Sequence, residues 1–182
     1  MQRLFSPDGV WPVPWITASL PHITALAEKM AERTVFTRFM PPERPEHMPG
    51  AWRRYYEHWR EVTREKVHPE LLALMPALAR LVPPAKVIDK PAYSAFSAPR
   101  MLDALRDARA DTLVITGGET DVCVLATVMN AVDYGYRVIL VSDAVCSSSD
   151  QGHDSLVALY ESRFSYQIET VDTQTILNAW TA

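Results

Sequence analysis

Short apolar runs rich in β-branched residues alternate along this chain with longer stretches whose apolar residues recur every three or four positions. The runs at 34–39, 86–90, 111–116, 137–142 and 167–171 have the length and composition of strands. Between them, 17–33 reads as a helix with Pro21 near its start, and 51–67, 69–81, 99–108, 153–163 and 173–180 read as further helices. Residues 40–50 are a proline-rich loop, and no internal repeat is evident. Strands separated by helices of ten residues or so require right-handed crossovers. The pattern therefore predicts an α/β fold of three α-β-α layers, with a mainly parallel sheet and helices on both faces. One domain over 1–182 is expected, with a helical insertion at about 41–70.

The richest segment is Thr116 to Thr127, where a strand gives way to a helix with a cysteine in the joint. Asp111-Thr112-Leu113-Val114-Ile115-Thr116 is the strand, and Gly117-Gly118 permits a sharp exit. Val124, Leu125, Val128, Met129, Ala131 and Val132 then follow at helical spacing. With Thr120 or Asp121 as the cap, Cys123 falls in the first helical turn, where free N–H groups favour a thiolate over a thiol. A cysteine among Val, Leu and Ala is commonly just a small buried hydrophobe. Position argues for chemistry here, because ligands bind open α/β sheets at the carboxyl ends of the strands.

Three segments in order carry a resemblance: Met1 to Pro14 (MQRLFSPDGVWPVP), Val87 to Phe96 (VIDKPAYSAF) and Thr112 to Val145 (TLVITGGETDVCVLATVMNAVDYGYRVILVSDAV). Together they resemble the isochorismatase-like cysteine hydrolases, the superfamily of nicotinamidases, N-carbamoylsarcosine amidohydrolases and isochorismatases. The resemblance implies Cys123 as nucleophile and Lys90 as its catalytic lysine. It also implies a cis peptide at Gly118-Glu119 and an oxyanion hole made by the N–H groups of Glu119 and Cys123. A lysine beside a thiol suits this chemistry, since it stabilises the thiolate, and an acid–base partner is then needed to shuttle the proton to the leaving amine. The expected reaction is cleavage of a C–N bond in a small amide, ureido or carbamoyl compound through a Cys123 thioester. Vinyl-ether cleavage of the isochorismatase type is the enzymatic alternative, disfavoured because it needs no thiol. An amidotransferase-like reading lacks a partner His, and a non-catalytic small-molecule-binding relative is the remaining alternative.

The sequence departs from the family pattern at its start. The catalytic Asp implied by the resemblance would stand immediately before Met1, at the end of an apolar central strand. The expectation is that Met1 is internal to a longer reading frame, with roughly ten or more residues ahead of it. The alternative is a chain without that strand and without hydrolase activity. Asp8, in Ser6-Pro7-Asp8-Gly9, reads as a turn residue and no substitute.

The remaining features narrow the picture. Nicotinamidases carry an Asp-x-His pair after the second strand, whereas this chain reads Thr34-Val35-Phe36-Thr37-Arg38-Phe39-Met40 there. His47, His58 and His68 lack ligand spacing, so no metal and no cofactor are expected. Tyr93, Phe96 and Trp52 are the expected substrate-pocket residues. The segment Trp52 to Arg60, dense in aromatics and arginine, suits either a pocket entrance and subunit interface or an amphipathic helix packed down on the body. A net charge of -4 gives no footprint for nucleic acid. No apolar run has membrane-spanning length and no secretory signal is seen, which with two unpaired cysteines suggests a reducing cytoplasm. A small-molecule substrate is the expected partner, and the resemblance implies a homo-oligomer.

Overall fold

A computed structural model describes residues 1–180; residues 181–182, the end of the expected domain, lie outside the described part. The elements are α1 (Ile16–Lys29), β1 (Val35–Phe39), α2 (Gly50–His58), α3 (Pro76–Ala79), β2 (Lys86–Lys90), α4 (Arg100–Asp107), β3 (Thr112–Gly118), α5 (Leu125–Asp133), β4 (Arg137–Cys146), α6 (Asp150–Arg163), β5 (Ile168–Val171) and α7 (Thr173–Ala179). Every strand pairing is parallel. No described helix is long and apolar enough to cross a membrane.

Strand β4 shows how the layers arise from alternation. Val138 and Leu140 join Val124, Val128, Ala131 and Tyr160 beneath α5 and α6. Ile139 and Val141 join Ile23, Leu26, Ala27 and Ile176 beneath α1 and α7. Successive side chains of a strand face opposite ways, so one ten-residue run serves two cores. After Val141 the parity reverses: Ala144 belongs to the α1 side and Val145 to the α5 side. A bulge causes it, since β3 advances from Ile115 to Gly117 while β4 advances from Leu140 to Val145.

The single sheet expected from the pattern is divided in two. One part holds β1 and β2, the other β3, β4 and β5. Between β1 and β3 no pairing forms, and a cleft of about 650 Å³ runs there instead. Three layers are present, but the middle one is interrupted.

Two expected helices also come out shorter. Residues 69–81 give one tight turn at Pro69–Leu72 and a single helical turn, α3. Pro76 lacks an N–H and keeps Met75 extended, while Leu74 is drawn into a bridge with Gln2. Residues 51–67 end their helix at His58, because Trp59 leaves helical geometry (φ -99°, ψ 51°) and sets its ring edge-on to Trp11 at 5.6 Å. The insertion is thus mainly loop around α2. Gln2, only 2% exposed, ties the start of the chain to this region. Its side-chain amide donates to the carbonyls of Phe39 and Leu72 and accepts from the N–H of Phe39.

Candidate active site

Cys123 owes its position to a sharp change of direction after β3. Gly117 takes φ 112°, in the range side chains avoid, and a Cβ on Gly118 would stand 3.1 Å from the Cys146 sulfur. The Gly118–Glu119 peptide is cis. Thr120–Val124 then forms one wide turn, in which the Val124 N–H donates to the Glu119 carbonyl at 3.0 Å. Cys123 therefore lies in that turn, ahead of α5 and not within its first turn.

Neither Thr120 nor Asp121 caps a helix, contrary to expectation. The wide turn directs them sideways, onto the first turn of α6 and the loop before it. Thr120, fully buried, places its hydroxyl 2.9 Å from Nδ1 of His153. Asp121 accepts from the Ser147 hydroxyl at 2.6 Å. The Glu119 carboxylate accepts from the Ser148 N–H at 3.0 Å and from its hydroxyl. Three consecutive residues of the cysteine turn are thus held by one facing segment.

Lys90 reaches the same place from the other sheet. It ends β2, is only 4% exposed, and its Nζ stands 3.4 Å from Cys123 Sγ. The ammonium also donates to the carbonyls of Ala92 at 3.0 Å and Tyr93 at 2.5 Å, so its three N–H groups are all engaged. Burial holds this ammonium below the usual lysine range, with Cys123 pulling it partly back. Thr127 locks the two sides together: its hydroxyl donates to the Cys123 carbonyl at 2.7 Å and accepts from the Ala95 N–H at 3.0 Å. Ser94 donates to Asn130 one turn further along α5, at 3.1 Å.

Of the three expected pocket residues, two come together. The rings of Trp52 and Tyr93 lie 4.8 Å apart. Burial pushes the Tyr93 hydroxyl up, and the charges of Cys123 and Glu119 add to the rise against a hydrogen bond from Tyr55 that lowers it. Phe96 is not with them: its ring lies against Tyr134 and Tyr136, at 5.1 and 6.2 Å. Trp52, Tyr55, Tyr56 and Trp59 join Trp11, Phe39 and Leu4 in one aromatic core, as the packing reading of their segment expects. Trp52 alone also borders Tyr93. The cleft between the half-sheets is lined by Lys90, Cys123 and Phe96 but not by Trp52 or Tyr93.

His47, His58 and His68 are exposed, and among the described residues no three His, Cys, Asp or Glu side chains are grouped to hold a metal ion. Asp8 is exposed in its turn. No carboxylate of the described residues bonds to Lys90 or Cys123. Sequence reasoning passed over Thr127, Asn130 and His153. The first two left a signal: they are polar positions four and seven residues after Cys123, on one face of a helix that is otherwise apolar up to its last residue, Asp133.

Fold and site together define an α/β protein with a thiol and a buried amine facing one another at the carboxyl ends of parallel strands. The Isochorismatase domain matches residues 1–172, and the chain belongs to that family. Isochorismatase family protein 1A of Dictyostelium discoideum is 38% identical over 93 residues, covering 50% of this chain and 43% of the relative. Escherichia coli nicotinamidase is 39% identical over 59 residues, 32% of this chain and 28% of the enzyme. The chain thus spans less than half the length of the curated relatives it matches. Among solved structures, N-carbamoylsarcosine amidase from Thermoplasma acidophilum superposes with a TM-score of 0.72 at 20% identity, covering 95% of this chain and 92% of that one.

Proposed function

We propose that this protein is a cysteine hydrolase that cleaves the C–N bond of a small amide, ureido or carbamoyl compound. The observation that carries the reading is the 3.4 Å approach of Lys90 Nζ to Cys123 Sγ. In water a lysine and a cysteine are mostly ammonium and thiol near neutral pH. Attack needs the thiolate, and the Lys90 ammonium at 3.4 Å sets an acid next to that nucleophile. Nicotinamidase and N-carbamoylsarcosine amidase among the relatives support the amide class.

The chemistry is built on those two groups, with the proton-handling carboxylate that the resemblance implies as their third partner. The Cys123 thiolate attacks the carbonyl carbon, and the N–H groups of Glu119 and Cys123 receive the oxyanion. As the intermediate collapses, the C–N bond breaks and Lys90 gives its proton to the departing nitrogen. Water then adds to the thioester and passes a proton to Lys90. Collapse expels the thiolate and releases the acid, restoring the starting pair. Tyr93 and Trp52 form the wall against which the substrate body rests.

The test is a screen of primary amides, ureas and carbamoyl amino acids against the purified protein, with mass spectrometry of the quenched enzyme. A substrate should leave a covalent adduct on Cys123, absent in Cys123→Ala. Lys90→Ala should lower turnover by about 10²-fold or more with the fold intact. Turnover that survives either substitution would remove that residue from the mechanism.

A further inference from the structure

The surroundings of the Cys123–Lys90 pair differ in character from one side to the other. The side contributed by β2 is aromatic. Tyr93 is tied to the pair by its carbonyl, which accepts from the Lys90 ammonium at 2.5 Å, and its ring lies 4.8 Å from that of Trp52. Trp52 stands in turn 5.4 Å from Tyr55, edge-on. All three rings are half-buried and so keep some surface for a ligand. Aromatic faces carry partial negative charge and attract a cation placed over them.

The side contributed by β3 carries a carboxylate. Glu119 opens the turn that holds Cys123, and its carbonyl accepts from the N–H groups of Val122 and Val124, the two neighbours of that cysteine, at 3.1 and 3.0 Å. Its side chain is met only by neutral donors among the described residues. The N–H of Ser148, at 3.0 Å, and the Ser148 hydroxyl both bond to Oε1. Oε2 has no partner among the described residues. Ser148 thus fixes where this charge sits without cancelling it.

Lys90 does not offset the carboxylate, because its three N–H groups are spent on Cys123 and on the carbonyls of Ala92 and Tyr93. With the thiolate formed, the pair is neutral as a unit, and of the three groups Glu119 supplies the remaining charge. That charge is felt on the aromatic side. Burial raises the Tyr55 hydroxyl, as it does that of Tyr93, and the negative charges of Cys123 and Glu119 add to both rises. A substrate body entering here meets aromatic rings and an uncompensated carboxylate. A cation is welcome on both counts, and an anion on neither.

We propose that Glu119 is a specificity-determining residue, and that the substrate carries an ammonium or amidinium group held by its carboxylate and by the Trp52, Tyr55 and Tyr93 rings while the carbonyl lies at Cys123. The inference rests on the hydrolase reading for the carbonyl and deepens it by naming the charge of the body. Carbamoyl amino acids, which bring a carboxylate, are then the poorest members of the class.

The test separates recognition from turnover by using charged thiol reagents. Rates of Cys123 modification by aminoethyl methanethiosulfonate (cationic) and sulfonatoethyl methanethiosulfonate (anionic) are followed by peptide mapping at low salt, each divided by its rate with mercaptoethanol. The parent should favour the cation, and Glu119→Gln should lower the cation-to-anion ratio by about fivefold or more. Asp107→Asn, at the opposite ends of the strands, should leave the ratio as it is. An equal ratio in parent and Glu119→Gln overturns the proposal. Should Glu119→Gln not fold, the parent alone decides: a preference for the cation that fades as salt rises supports the carboxylate, and a preference for the anion, or none, overturns it. Turnover of β-alaninamide against succinamate is the second arm. Faster cleavage of succinamate would overturn the cationic substrate while upholding the hydrolase; cleavage of neither, with the reagent preference intact, would count against the hydrolase and leave the cation site standing.

Discussion

Cys123 and Cys146 illustrate how position sets the behaviour of identical side chains. Both line the same cleft. Cys123 is half-buried and faces the Lys90 ammonium. Cys146 is buried against Val13 and Ile16, and burial pushes its thiol up to about 11. Brief iodoacetamide treatment near neutral pH should therefore label Cys123 first, as read by peptide mapping; preferential labelling of Cys146 would argue against the assigned nucleophile. The same burial gives a pH dependence. Between an ordinary thiol value near 9 and about 11, the unfolded chain loses the Cys146 proton while the folded chain keeps it. Stability should fall as pH rises through that window, by up to about 3 kcal/mol. Urea unfolding from pH 8 to 11 checks this, and Cys146→Ala should flatten the alkaline decline. Cys123 and Lys90 were legible in the sequence because Lys90 ends a strand and Cys123 lies in the turn after one, each inside a recognisable motif. Phe96 lines the cleft with Lys90 and Cys123 but stands apart from Trp52 and Tyr93, because its motif fixes the loop and not the direction of the ring, which Tyr134 and Tyr136 decide.

The cysteine turn is held from outside, so its geometry depends on a neighbour. Thr120 is wholly buried and its hydroxyl has one partner, the His153 ring on α6. Removing that ring orphans a buried hydroxyl, at a cost of about 1 to 3 kcal/mol. His153→Ala should thus lower stability by that amount. It should also slow Cys123 alkylation without changing which cysteine reacts, whereas unchanged labelling kinetics would confine His153 to stability. His153→Asn, which retains a polar group, should recover part of both losses. None of this is visible in a one-dimensional reading, because Thr120 and Asp121 look like caps wherever they precede a helix. Strand β2 at Lys86–Lys90 was legible to the residue. The stretch 69–81 was not, because Pro76 and the bridge from Leu74 to Gln2 override a helical pattern of apolar positions.

At the scale of the molecule the two half-sheets differ in how firmly they are held. The pattern of runs gave the parallel strands and the covering helices, but strand neighbours depend on pairing across the fold, which alternation within single runs does not specify. A two-stranded sheet is marginal alone, while three strands covered on both faces are not. The β1–β2 pair leans on the Arg38–Asp89 bidentate ion pair, whose side chains are 31% and 43% exposed and which contributes little. Lys90 belongs to this weaker part and Cys123 to the stronger. The reactive pair is thus built across the cleft, and its 3.4 Å separation survives only while both parts keep their places. Mild denaturant should open the β1–β2 unit first, since local stabilities differ within one fold. In a urea series, exchange of Val35 to Phe39 should quicken and Cys123 should lose its advantage in alkylation at concentrations where Val138 to Val141 remain protected. Coincident loss of both at a single midpoint would instead show the molecule unfolding as one unit, with the cleft no line of weakness.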